Sequence, residues 1–119
     1  MPEEDSGLPS PLADYSPFSR PANKPLYSIH FIGPNDEMRS FQYAHLDSDS
    51  SYSAGRISLR FMGLKAIAVV IEGRSLQSLY DYIHQHRAAW VKQAARDFEP
   101  DGVSIVTKIT FAEISADML

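Results

Sequence analysis

The stretch that decides the fold is Ala66-Ile67-Ala68-Val69-Val70-Ile71, which Glu72-Gly73-Arg74-Ser75 follows. An apolar run of this length, rich in β-branched residues and ended by a glycine, is typical of a strand buried on both faces of a sheet. We therefore expect a β-sheet with two covered faces. The helix predicted after Ser75 covers only one of them, so the second face needs the N-terminal segment, a loop or another chain.

A long amphipathic helix is predicted directly after this strand. Ser75 is a favourable N-cap and Pro100-Asp101-Gly102 is a stop signal, so the predicted helix runs from Ser75 to about Phe98. Its apolar residues recur at helical spacing along one side: Leu76, Leu79, Tyr80, Ile83, Trp90, Val91, Ala94 and Phe98. A helix of this length crosses one whole face of a small sheet.

Alternating apolar and polar residues, with turn signals between them, predict the strands. These strands lie at about 27–31, 38–46, 56–61, 64–71 and 103–114. The predicted fold is therefore α+β, of order ββββαβ: a five-stranded, mostly antiparallel sheet with one long helix packed on one face. In the preferred arrangement the sheet order follows the chain and the last strand is parallel to the fourth. The alternative places the last strand antiparallel to the first.

The first 25 of the 119 residues differ in composition from the rest, because they hold six of the eight prolines together with several serines and acidic residues. Such a composition buries too little apolar surface to offset chain entropy. Residues 1–25 are therefore predicted to form a disordered Pro/Ser-rich acidic tail, and residues 26–119 a single α+β domain. The tail is a plain flexible leader, a segment that orders on a partner, or a cover for the open sheet face through Leu12, Tyr15 and Phe18.

Composition and charge argue against several classes of function. The chain has no cysteine, which excludes disulfides, thiolate catalysis and cysteine-based zinc sites. Its net charge of −4 argues against a nucleic-acid partner, although one set of basic residues is a candidate for it: Arg56, Arg60, Lys65, Lys92 and Arg96. The first residues lack signal-peptide features and no apolar run approaches the roughly 20 residues that span a bilayer, so we predict a cytoplasmic protein without a membrane partner.

The sequence shows no catalytic constellation, and we predict no metal site and no cofactor. His45, Asp47 and Asp49 alternate, which would bring nitrogen and oxygen ligands to one strand face, but a strand end that runs into a solvated loop explains them better. No serine lies on a recognisable nucleophile elbow, and no carboxylates are paired for acid–base chemistry. These observations favour a non-enzymatic protein without excluding an enzyme.

The strand-to-helix turn at Gly73, Arg74 and Ser75 is a candidate anion site. Free backbone N–H groups and the helix dipole attract anions at such a turn, and Arg74 adds a positive charge. The ordinary alternative is that Ser75 caps the helix and Arg74 is solvated. Arg87 fits the predicted helix least well, since it falls within the apolar stripe. It covers a sheet edge, stacks on Trp90, pairs with an acid such as Glu72, or belongs to the anion site.

The candidate partner surface consists of aromatic residues. On the flank of the predicted helix these are Tyr82 and His86 beside Trp90, and in the tail they are Tyr15 and Phe18. The rim of the core explains the helix flank equally well.

The predicted function is a non-enzymatic protein-interaction module that binds a protein partner or a second copy of itself as a homodimer. It would use the open sheet face, the helix flank or the first strand, which the preferred order places at a sheet edge. The alternative is a small-molecule or anion-binding regulatory domain that uses the turn at residues 73–75.

Overall fold

The computed structural model describes residues 15–95 and 103–115, which form two β-sheets and one short helix. The first sheet has the order β2-β1-β6, where the strands are β1 (Ser28–Ile32), β2 (Met38–Gln42) and β6 (Trp90–Lys92). The second sheet has the order β3-β4-β5-β7, where the strands are β3 (Ser51–Ser53), β4 (Arg56–Met62), β5 (Ala66–Arg74) and β7 (Ile105–Glu113). A 3-10 turn (Tyr43–His45) and the helix α1 (Gln77–His84) complete the elements.

The predicted five-stranded sheet with one long helix is therefore wrong. The strands divide between two sheets, and β1 is not an edge strand, because it pairs with both β2 and β6. The last strand, β7, neighbours β5 as predicted, but the two strands are antiparallel rather than parallel. The hairpin of β4 and β5 follows the predicted order.

The helix has only eight residues because it ends in a Schellman motif centred on His86, whose φ is +61°. Two N–H groups bond back to helix carbonyls, from His86 to Ile83 at 2.9 Å and from Arg87 to Tyr82 at 2.7 Å. Glycine usually occupies this left-handed position, so the sequence carries no stop signal there. Trp90, expected on the helix, lies instead in β6, a position that suits its preference for strands.

The core lies between the two sheets. The second sheet contributes alternate apolar residues of two strands. They are Ile57, Leu59 and Phe61 of β4, where the sequence predicts alternation, and Ile67, Val69 and Ile71 of β5. The first sheet and the helix contribute the opposing side chains: Ile29, Phe31, Val91, Leu76, Leu79 and Ile83. No helix in residues 15–95 and 103–115 is long and apolar enough to cross a membrane.

The strand at 66–71 has one buried face, not two. On its outer face Ala66, Ala68 and Val70 are only partly buried. On the neighbouring strand β4, Val70 pairs with Ser58 and Ala68 with Arg60, whereas Ala66 pairs with the exposed Met62. The prediction of two covered faces is wrong because alanine makes the run apolar without giving it much surface to bury. The outer sheet face therefore gives no argument for a covering partner.

The segment 15–26 packs along β6, where the sequence predicts a disordered tail. Phe18 forms an antiparallel bridge with Val91, and the Ser19 N–H donates to the Trp90 carbonyl at 3.1 Å. The segment thus takes the place of an additional strand at this side of the first sheet. The division of the chain into a tail and a domain after residue 25 stays a prediction.

The Ser19 side chain fixes this segment to the chain before β6. Ser19 is 9% exposed, and its Oγ accepts the N–H of Ala89 at 2.9 Å and that of Trp90 at 3.3 Å. N–H groups taken out of water need an acceptor. At this irregular stretch of backbone, the Ser19 hydroxyl is the acceptor for the Ala89 and Trp90 N–H groups. Residues 1–14, including Leu12, lie outside the described residues.

Candidate functional site: a cleft beside the free edge of β7

Gly73, predicted in an anion site, lies in β5 where β7 and the turn between β3 and β4 approach it closely. Its N–H donates to the Gly55 carbonyl at 2.9 Å, and a β-bulge between Glu72 and Gly73 interrupts the pairing with β7. A Cβ atom at Gly73 would overlap the carbonyl oxygen of Ile105. Backbone of β7 and of the Gly55 turn therefore occupies the space around this glycine, which explains the residue without a ligand.

Ser75 does not cap the helix, contrary to the prediction. Its φ is +56°, and the N-cap position belongs to Leu76, which makes no side-chain cap bond. The Ser75 carbonyl instead accepts the Ser104 hydroxyl at 2.6 Å. Anion binding by Arg74 stays a prediction.

Arg87 lies beyond the helix, so its predicted place in a helical apolar stripe is wrong. Its Nε donates to the Ala22 carbonyl at 2.7 Å, and its Nη1 donates to Gln85 Oε1 at 2.7 Å. The guanidinium therefore binds the N-terminal segment rather than the turn at Gly73. A structural role agrees with these bonds, although the partner is a carbonyl and not the predicted carboxylate of Glu72.

The aromatic residues of the predicted partner surface make contacts within the chain. Phe18 and Tyr82 meet edge to face at 6.1 Å, and His86 stacks on Tyr43 at 4.5 Å. Trp90 is partly exposed on the outer face of the first sheet and not on a helix flank. These contacts explain the residues without a partner, and their role in binding stays a prediction.

Two tyrosine hydroxyls join distant parts of the chain. The Tyr15 hydroxyl donates to the Lys92 carbonyl and accepts the Val106 N–H, both at 2.9 Å. The Tyr43 hydroxyl donates to the Ala88 carbonyl at 2.6 Å. Burial raises the pKa of Tyr15 to about 12, and burial raises the pKa of Tyr43 further above its ordinary value.

These shifts predict a loss of stability at high pH. The folded chain holds the two phenolic protons more tightly than the unfolded chain, so the free energy of unfolding is insensitive to these groups below about pH 10 and falls as pH rises toward 12. Urea denaturation between about pH 9 and 12 measures the fall. The variant Tyr15→Phe removes one ionising group and should show a shallower decline. A curve that stays level across this interval would contradict the assigned shifts.

The residues considered as metal ligands have another role. Arg60 Nη2 contacts Asp47 Oδ2 at 3.0 Å and Asp49 Oδ2 at 2.7 Å, so the two carboxylates share one guanidinium. No group of three metal-ligating side chains occurs in residues 15–95 and 103–115. His30 Nδ1 and Ser40 Oγ lie 2.6 Å apart, but on the outer face of the first sheet, as an ordinary cross-strand pair.

A cleft lies between the β1–β2 connection and β7. Its volume is about 410 Å³, which lies within the range of protein binding pockets. Its lining includes Phe31, Met38, Arg39, Gln93, Ile109 and Phe111. The sequence did not point to this cleft, because its residues lie far apart along the chain.

An aromatic cluster lies at the cleft, and two of its rings, Phe31 and Phe111, line it. The Phe41 ring stacks on Phe61 at 4.6 Å and on Phe111 at 6.0 Å between ring centroids. Phe31 meets Phe41, Phe61 and Phe111 edge to face at 5.8 to 6.3 Å. Phe41 and Phe111 are only partly buried, so this cluster connects the core to an apolar surface.

Arg39 lies over this cluster as an exposed cation. Its guanidinium carbon is 4.8 Å from the centroid of Phe111 and 5.6 Å from that of Phe41. Cation–π attraction holds the guanidinium at the mouth of the cleft. No carboxylate in the described part of the chain pairs with it. The cleft therefore combines an apolar floor with an available positive charge.

The open edge of β7 borders the cleft. The Ile114 N–H donates into β5, whereas the Ile109 N–H points the other way and donates to Gln93 Oε1 at 2.9 Å. Because alternate residues of a strand direct their backbone groups to opposite sides, the N–H and C=O groups of Phe111 and Glu113 point away from β5. Within residues 15–95 and 103–115 they have no hydrogen-bond partner.

Comparison of the chain with models of protein families, with curated proteins and with solved structures found no match. The function is therefore argued from the geometry of the cleft and of the β7 edge.

Proposed function

We propose that this protein is a non-enzymatic interaction module that binds an extended segment of a partner protein along the free edge of β7. The observation that carries the proposal is the pair of outward-facing backbone positions, Phe111 and Glu113, beside the apolar cleft. A strand edge with unpaired N–H and C=O groups is a template for strand addition. The proposed binding surface is thus the β7 edge, and not the outer sheet face or the first strand that the sequence suggests.

The cleft supplies specificity to such an edge. In an added strand, alternate side chains point to one face, so every second residue would lie over Ile109 and Phe111. These two side chains are partly exposed, and a covering strand removes their apolar surface from water. Arg39 favours an acidic side chain in the added strand because a carboxylate there would form an ion pair with the guanidinium, which has no acidic partner within the described part of the chain.

Gln93 limits the binding edge on one side. Its side chain accepts the Ile109 N–H, so within β7 the free outward donors beside the cleft are those of Phe111 and Glu113. A two-residue hydrogen-bonding stretch implies modest affinity unless the side chains in the cleft contribute most of the free energy. We therefore expect peptide ligands that bind with dissociation constants of roughly 1–100 μM.

The test uses a library of short random peptides displayed on phage, followed by NMR titration with the enriched peptides. Enriched sequences should alternate apolar residues and contain Asp or Glu, and they should shift the amide signals of Phe111 and Glu113. Arg39→Glu should weaken this binding about tenfold, a change of about 1.4 kcal/mol. The matched control is Arg56→Glu, an exposed arginine on the outer face of the second sheet. An absence of enrichment, or shifts confined to another surface, would refute the proposal.

The alternative of a small-molecule or anion-binding domain at the turn has less support. Gly73 is enclosed by neighbouring backbone, and the Ser75 carbonyl accepts a hydrogen bond from Ser104. A small apolar carboxylate that competes with the peptides for the cleft would instead indicate that Arg39 recognises a free ligand. Titration with benzoate, followed at the Phe111 amide, distinguishes these two uses of the cleft.

A further inference from the structure

We propose that the strand added to β7 is β7 of a second copy of this chain, so that two chains pair antiparallel about a two-fold axis. This inference rests on the proposed function and names its partner. The pairing places Phe111 of each copy opposite Glu113 of the other. Homo-oligomers most often have this two-fold symmetry, in which the same surface serves on both subunits.

The open backbone groups fix this register. When Phe111 lies opposite Glu113 of the second copy, both residues of both chains exchange N–H···O=C bonds, about four in all. A pairing of Phe111 with itself would require the Ile109 N–H, which already donates to Gln93 Oε1 at 2.9 Å. The register with Phe111 opposite Glu113 is therefore the one that uses the free groups and leaves the Gln93 bond intact.

The same register brings complementary charges together. Residues directly opposite in an antiparallel pair share a face, with Cβ atoms about 4.5–5.5 Å apart. Glu113 of the second copy would thus lie beside Phe111, the ring over which the Arg39 guanidinium lies at 4.8 Å. Neither Arg39 nor Glu113 has an ion-pair partner within residues 15–95 and 103–115. Because the two chains are related by a two-fold axis, the ion pair between Arg39 and Glu113 of the other copy forms twice in the dimer.

The pairing also covers apolar surface that one chain leaves partly exposed. Ile109 and Phe111 both lie on the core-side face of β7 and both line the cleft. A neighbouring β7 brings the same two side chains from the other copy, and the two second sheets join into one continuous sheet. The interface is therefore self-complementary in hydrogen bonding, charge and apolar contact.

A charge-swap experiment tests the proposal on the full chain. Analytical ultracentrifugation over a concentration series should show a reversible dimer. Arg39→Glu and Glu113→Arg should each raise the dissociation constant at least about tenfold, whereas the double variant should regain most of the wild-type affinity. The controls are Arg56→Glu and Asp81→Arg, which change exposed charges elsewhere by the same amounts and should leave the dimer unchanged. Circular dichroism checks that each variant is folded.

Two results would overturn the inference: a wild-type chain that is monomeric at every concentration, or a dimer that neither single variant weakens. A double variant that fails to regain affinity while both single variants are folded would also overturn it. If the chain is monomeric and the selected peptides still shift the Phe111 and Glu113 amides, the proposed function stands with a different partner. If neither a dimer nor peptide binding at this edge is found, both proposals fail.

Discussion

Replacing Phe18 and Ser19 together by alanine is expected to lower the free energy of unfolding by about 3–5 kcal/mol. The Phe18 change removes a ring that packs on the core and meets Tyr82 edge to face. The Ser19 change leaves the N–H groups of Ala89 and Trp90 without their acceptor in a partly buried place. Urea denaturation of the full chain measures the loss.

Ser16→Ala is the control for this double variant. Ser16 is exposed and belongs to the same segment, so its replacement should change stability by less than about 0.5 kcal/mol. A double variant as stable as the wild type would mean that the segment does not form part of the folded unit.

The substitution Gly73→Ala is expected to cost about 3 kcal/mol or more, or to prevent folding. The added methyl group would overlap the Ile105 carbonyl oxygen and lie 3.1 Å from the Val106 Cα, both of which are backbone atoms of β7. The Gly73 N–H is also hydrogen-bonded to the Gly55 carbonyl. β5 is therefore held from both sides and cannot shift away from the added methyl group. Thermal unfolding followed by circular dichroism measures the effect.

Gly33→Ala is the matched control. A methyl group at Gly33 would meet only the end of the Glu37 side chain, which can rotate away. Its cost should stay below about 1 kcal/mol. Equal losses for the two variants would show that β5, β7 and the Gly55 turn do not meet at Gly73 as described.

The sequence predicts those elements whose pattern is local. The alternation of apolar residues in 56–61 correctly identifies β4 and its buried face, and the run at 66–71 correctly identifies β5. The same run wrongly predicts that both faces of the strand are buried, because its outward residues include two alanines that stay partly exposed. The helix was overextended because His86 adopts a left-handed conformation for which histidine gives no signal.

The remaining features depend on contacts between distant residues. Proline-rich composition indicates a tail, but it does not reveal that Ser19 would supply an acceptor to the backbone of Ala89 and Trp90. The cleft arises where Arg39 and Phe111 meet across two sheets, and neither residue stands out in its own segment. Single-sequence patterns carry no information about such pairings.

Amide hydrogen exchange along β7 tests the open edge most directly. In the Arg39→Glu variant, kept below its raised dissociation constant so that it is monomeric, the Phe111 and Glu113 amides should exchange rapidly, while those of Thr110 and Ala112, which point toward β5, stay protected. In the wild type, protection at Phe111 and Glu113 should rise with protein concentration. If these two amides are as protected in the monomer as their neighbours, the β7 edge is already occupied within one chain and cannot bind a second strand.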